Sequence, residues 1–147
     1  MKRKLSKSLP IILTMTIVIS AIIIAPVTVS AANTADSIVD IARAEIGNSY
    51  YQKYNGHKNA WCADFVTWCA KQAGVSSIAS SSSCYNMYMG MKDSCERVYS
   101  PQKGDIVFFY CNKCSTTAGK WCHVGIMEDS TYSIEGNNWS DGTSKVQ

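Results

Sequence analysis

A cysteine at the head of a helix and a histidine on a strand are the residues of this chain best equipped for nucleophilic acyl chemistry. Cys62 opens the stripe Cys62, Phe65, Val66, Cys69, Ala70 and Ala73, spaced by three and four residues and stopped by Gly74. A thiol in the first helical turn meets unpaired N–H groups and the positive end of the macrodipole, and both favour the thiolate, the reactive species. Position alone leaves two other uses open: the small apolar end of the stripe, or half of a disulfide. Of the two histidines, His57 falls in a polar loop, whereas His123 lies in the period-two run Cys122–Met127 and so has a rigid mount. A base beside a thiol needs a third group to hold its imidazole tautomer. If Asp129 and Ser130 make the turn, the next strand places Glu135 opposite His123 or Val124. An acid beside a strand histidine is also an ordinary structural pair; joined to a helix-start cysteine it points to catalysis.

The elements that must position these groups are legible in outline. Thr34 or Asn33 caps a first helix over residues 35–46, with Ile38, Ile41, Ala42 and Ile46 as its apolar stripe and Gly47 at its end. A tyrosine-rich polar loop, residues 49–59, leads to the helix of Cys62. Tyr50, Tyr51, Tyr54 and Trp61 there either line a substrate cleft or pack as core. A serine run, Ser80 to Ser83, reads as a loop or helix cap before a third helical segment, Cys84 to Lys92. The pattern then turns to period two over Asp105–Tyr110, Cys122–Glu128 and Thr131–Glu135. Helices first and antiparallel strands second make an α+β domain.

The 147 residues carry 14 basic and 11 acidic side chains, but Lys2, Arg3, Lys4 and Lys7 crowd the start and no acid precedes Asp36. An apolar run from Leu9 to Ala25 follows, then Val29-Ser30-Ala31, the form of an export signal cleaved after Ala31. Residues 1–31 are therefore expected to be a signal peptide and residues 32–147 one secreted domain, with no membrane anchor after cleavage. A retained anchor is the competing use of the run, opposed by Pro10 and Pro26. Without the leader the basic excess vanishes, and with it the case for a nucleic-acid partner.

Seven cysteines in a short exported chain point to disulfides, with one left over. Cys111 with Cys122, flanking the loop between two strands, and Cys84 with Cys95, bracketing the third helix, are the candidate pairs. The rival is zinc, because Cys111-Asn112-Lys113-Cys114 has ligand spacing and Cys122 with His123 would complete a site; adjacent strand residues point to opposite faces, which opposes it.

Four runs, in order, carry a resemblance: Trp61-Cys62-Ala63-Asp64-Phe65-Val66, Pro101-Gln102-Lys103-Gly104-Asp105-Ile106-Val107-Phe108-Phe109, His123-Val124-Gly125-Ile126 and Ile134-Glu135-Gly136-Asn137. Together, over about residues 35–140, they resemble the CHAP domain family, cysteine-dependent peptidoglycan amidases and endopeptidases related to the papain-like NlpC/P60 group. The resemblance implies Cys62 as nucleophile, His123 as base, Glu135 as orienting acid and Asn137 as a further polar residue near the histidine. It also implies a peptidoglycan peptide as substrate, with no cofactor and no metal, acted on outside the cell by a monomer. The family usually supplies a further strand after the last run, so an exposed sheet edge or a fragmentary chain is expected here. The competing class is a non-catalytic exported binding module stabilised by disulfides or zinc.

Overall fold

A computed structural model of the chain describes residues 31–58, 60–113, 120–138 and 144–147. Residues 1–30, all but the last of the expected leader, and Cys114 lie outside the described residues. Among the described residues no helix is long and apolar enough to cross a membrane.

Helix α1 spans Ala31–Ala44 and buries Ile38, Val39 and Ala42. It starts earlier than expected, running through Thr34 rather than being capped there, in keeping with the helix propensity of its alanines. It also stops sooner, in a turn that ends on left-handed Gly47, so Ile46 is exposed instead of completing the stripe. Just past its end Glu45 is almost wholly buried, and its carboxylate accepts hydrogen bonds from Lys53 Nζ (2.6 and 2.8 Å), Tyr54 Oη (2.8 Å) and Asn48 Nδ2 (2.9 Å). Burial alone would raise its pKa; the Lys53, Tyr54 and Asn48 bonds outweigh that and lower it. This cluster ties the loop's short 3-10 turn, Tyr51–Tyr54, to α1.

Tyr54 in turn stacks on Trp61, with ring centroids 5.3 Å apart. Both rings are buried core, which settles their use against the cleft; Tyr50 is the exposed member of the group. Trp61 immediately precedes helix α2, Cys62–Gln72, whose Phe65, Val66, Cys69 and Ala70 are buried as the stripe requires. Full burial of a ring such as Phe65 contributes about 2 kcal/mol.

The serine run has two structural tasks. Ser82 Oγ donates to Asp64 Oδ1 (2.5 Å), and Ser81 N donates to Thr67 Oγ1, whose hydroxyl donates back to Ser81 O (both 3.2 Å). These bonds fasten the run along α2. Ser83 then caps helix α3, Cys84–Met91, by accepting from Asn86 N. The result is that α3 begins beside the beginning of α2.

Three antiparallel strands follow in spatial order, β1 (Ile106–Tyr110), β2 (Trp121–Met127) and β3 (Ser133–Ile134). Phe108 pairs with Val124, Ile106 with Ile126 and Ile126 with Ile134, giving a core-facing set that meets the helices. A register shift between Phe109 and Tyr110 leaves Cys122 unpaired and turns Trp121 onto Tyr88 of α3 (centroids 3.7 Å).

Two sequence expectations fail at the sheet. The turn before β3 is longer than Asp129-Ser130, because Asp129 Oδ1 accepts from Thr131 N (2.6 Å) and Tyr132 N (2.8 Å), and Glu128 N bonds to Tyr132 O. The strand therefore starts at Ser133, and continuing its register puts Glu135 across from Gly125, not from His123 or Val124. The free edge is also covered. Glu135 and Gln147 exchange backbone hydrogen bonds (2.8 and 3.1 Å), Asn138 pairs with Lys145, and Val146, fully buried, bonds through its backbone to Gly47 and Asn48.

Candidate active site

Cys62 forms the first residue of α2 with no side-chain cap from Trp61, so its thiol meets the open first turn; the Ala63 N–H stabilises the thiolate. The sulfur has two further neighbours. Cys84 Sγ, from the first residue of α3, lies 3.3 Å away, and the His123 imidazole on β2 is close enough to favour the Cys62 thiolate. The helix-start thiol and the strand histidine thus meet across two elements.

His123 Nε2 lies 3.0 Å from Glu135 Oε2. The N–H does not align on that oxygen, so the contact is a close ion pair rather than a well-directed hydrogen bond. With Nε2 given to Glu135, Nδ1 is the nitrogen left for Cys62. The carboxylate is fixed in turn: Ser133 Oγ donates to Oε1 (2.6 Å) and Asn138 Nδ2 to Oε2 (2.8 Å). Burial pushes the Glu135 pKa up, but His123, Ser133 and Asn138 outweigh it and the carboxyl is held below its ordinary value.

Glu135 reaches His123 diagonally, across Gly125. A Cβ at residue 125 would sit 2.7 Å from Glu135 Cγ and 3.1 Å from the Ile134 carbonyl oxygen. The glycine is the gap through which the carboxylate crosses the strand. Gly136 makes a second close approach: a Cβ there would meet Phe65 Cβ at 2.5 Å and Trp61 Cζ3 at 2.9 Å, so the residue after Glu135 packs directly on the start of α2.

These neighbours set the charge state. The S–H of Cys84 does most to lower the Cys62 pKa; burial opposes it, and His123 adds to the lowering, which brings the thiol to about 5. Burial would lower His123, but the Cys62 thiolate and Glu135 raise it to about 9. Between those values the pair is thiolate and imidazolium. Cys84 is pushed the other way, up, first by its bond to Cys62 and then by burial, and stays a protonated donor.

Of the four residues singled out from sequence, Cys62, His123 and Glu135 come together. Asn137 takes a left-handed backbone conformation and its Oδ1 accepts from Ser144 Oγ (2.7 Å), which itself accepts from Trp61 Nε1 (3.0 Å). Its neighbour Asn138 is the one that holds Glu135. Sequence reasoning missed Cys84, Ser133, Asn138 and Gly125. Only the last had a signal, a glycine inside a strand two residues after the histidine. The proposed disulfides are absent, since Cys84, Cys95 and Cys122 are free thiols and Cys84 faces Cys62. Among the described residues no cluster of three or more His, Cys, Asp or Glu is arranged to hold a metal.

Two hollows of about 420 and 470 Å³ flank α2 and α1, the first lined by Lys53, Asp64, Trp68 and Ser81, the second by Ile38, Ile78 and Gly104. Neither is lined by Cys62, His123 or Glu135, and Cys62 itself is 7% exposed. A family model described as the CHAP domain matches residues 52–138, a span that contains the thiol, the imidazole and both residues on which Glu135 and its asparagine sit. No curated protein and no solved structure gives a match.

Proposed function

The chain belongs to the CHAP domain family, a family of peptidoglycan hydrolase-type amidases and peptidases, and on that premise we propose that it cleaves amide bonds in the peptides of cell-wall peptidoglycan. The observation that carries this is the buried contact of Cys62 with His123, backed by Glu135 at 3.0 Å. Cys62, as thiolate, attacks the substrate carbonyl carbon; the Nδ1 proton of His123 passes to the leaving amine, and a thioester remains. His123, now neutral, takes a proton from water as that water attacks the thioester, and the acid product departs as the thiolate and imidazolium are restored. The open N–H groups at the head of α2 are placed to bind the oxyanion of each tetrahedral intermediate, a contribution of about 3 kcal/mol per donor in such sites. Glu135 holds the ring and stabilises its positive charge. Asn137 supports the site indirectly, through Ser144 and the Trp61 indole next to the nucleophile.

We further propose that the protein acts outside the cell as a monomer after removal of residues 1–31; the sequence form of that leader supports export. Amino-terminal sequencing of the secreted product reads the cleavage point. For the chemistry, the Cys62→Ala variant is assayed for clearing of purified cell walls. Loss of clearing with the fold intact is expected, and retained clearing overturns the assignment of the nucleophile. Mass spectrometry of the released muropeptides then separates an N-acetylmuramoyl-L-alanine amidase from an endopeptidase.

A further inference from the structure

Cysteine hydrolysis needs one thiol, yet two meet here. Cys62 and Cys84 are each the first residue of a helix, each nine-tenths buried or more, with sulfurs 3.3 Å apart. That is about 1.3 Å longer than the covalent S–S distance of ~2.05 Å. The juxtaposition is built by the Ser81–Thr67, Ser82–Asp64 and Ser83–Asn86 hydrogen bonds that lay the serine run along α2 and start α3 beside it. Cys69, equally buried on the same helix, has no sulfur neighbour of this kind among the described residues and its thiol is pushed up by burial, so it is inert. Cys62 is the opposite case, a stabilised thiolate that any substrate carbonyl must reach, and whatever admits that carbonyl admits a peroxide.

We propose that Cys62 and Cys84 form a reversible redox pair that switches the enzyme off: a peroxide oxidises Cys62 to the sulfenic acid, and Cys84 resolves it to a disulfide that a thiol reductant reopens. This rests on the assignment of Cys62 as nucleophile. In the first step the Cys62 thiolate attacks one peroxide oxygen, the O–O bond breaks and, for hydrogen peroxide, hydroxide leaves and is protonated to water. In the second, the Cys84 sulfur attacks the sulfenic sulfur, the S–O bond breaks, and the Cys84 proton leaves with the hydroxyl as a second water. Overall two thiols lose two electrons and one hydrogen peroxide becomes two waters. Dithiothreitol reverses it by exchange, itself closing to a cyclic disulfide. The disulfide leaves no thiolate to attack a substrate and protects Cys62 from the irreversible sulfinic and sulfonic states. Cys122, exposed on β2 and near enough to influence Cys84, is the competing partner.

The test treats the reduced full chain, and its Cys84→Ser and Cys122→Ser variants, with hydrogen peroxide. Cell-wall hydrolysis is read relative to each protein's own reduced level, and the cysteines are mapped by peptide mass spectrometry. The expected result is loss of at least about nine-tenths of wild-type activity with a mapped Cys62–Cys84 crosslink and full recovery in dithiothreitol. Cys122→Ser behaves as the wild type. Cys84→Ser is also inactivated, but through Cys62 sulfinic acid that dithiothreitol does not reverse. Inactivation without the crosslink, or a crosslink to Cys122, overturns the switch while leaving Cys62 as nucleophile. A Cys62–Cys84 crosslink with hydrolysis undiminished overturns both.

Discussion

Replacing Gly125 by alanine tests whether Glu135 acts through the gap that this residue leaves. The new Cβ lies 2.7 Å from Glu135 Cγ and 3.1 Å from the Ile134 carbonyl oxygen. The carbonyl belongs to the sheet and is held there, so the glutamate side chain must yield. Restoring ordinary carbon contact at about 3.5–4.0 Å moves Cγ by about 1 Å, and the carboxylate, tethered to Ser133 and Asn138, leaves His123 Nε2. A misplacement of that size in a catalytic group costs about 100-fold in rate, or about 2.7 kcal/mol of transition-state stabilisation. Folding loses less: crowding costs about 1–3 kcal/mol, partly offset by the ~0.5–1 kcal/mol that alanine gains over glycine within a strand. The expected signature is a large fall in kcat/KM on purified peptidoglycan with a small shift in the thermal melt. The alkaline limb of activity moves to lower pH, because an imidazolium without its carboxylate is a stronger acid. In a Glu135→Ala background the same substitution is nearly silent. A Gly125→Ala enzyme within about threefold of wild type, with its alkaline limb unmoved, would refute the idea that the glycine serves the carboxylate.

The wild-type pH profile follows from the same pair. The thiolate forms as pH rises through about 5 and the imidazolium is lost as it rises through about 9, so kcat/KM is bell-shaped between those limbs; a flat profile across pH 5 removes the activated thiol. Glu45→Ala breaks charge-assisted bonds to Lys53 and Tyr54 and leaves the buried Tyr54 hydroxyl without its acceptor, so it lowers stability by about 2–3 kcal/mol in chemical denaturation. The Glu45 pKa is depressed in the folded state, so its stabilisation is complete above the ordinary value of 4.5 and fades as pH falls below it; the variant's deficit shrinks accordingly in acid. Val146→Ala, at a fully buried residue beside β3, costs about 2 kcal/mol and speeds hydrogen exchange at the Glu135 and Gln147 amides. Unchanged exchange there would mean that the buried valine does not hold the covering segment in place.

Periodicity alone made most of the elements legible. The α2 stripe, its start at Cys62, the serine cap of α3 and the three strands in order are local facts, written in spacings of three, four and two and in residues with special backbone preferences. The two groups with distinctive chemistry were legible for a related reason, since a cysteine heading a helix and the one histidine on a strand need no partner to be noticed. Ends of elements were less so: α1 overran Thr34, and Asp129 folded its side chain back on the turn, which lengthened the loop and slid β3 by one or two residues against the expected pairing.

What tertiary structure alone decided is which residues stand next to those two groups. Contact between the Cys62 sulfur and the Cys84 sulfur depends on a serine run bonding sideways to α2, and Glu135 reaches His123 only because the residue between them on the sheet face lacks a side chain. Aromatic residues ahead of α2 read equally well as cleft or core until Glu45 drew Tyr54 inward beneath Trp61. Sequence pattern records each segment's own preference for helix, strand or turn, because those preferences are set within a few residues. Distances between segments are set by packing and by hydrogen bonds over long separations, and a chain written in one dimension carries no mark of which of its polar groups will find one another.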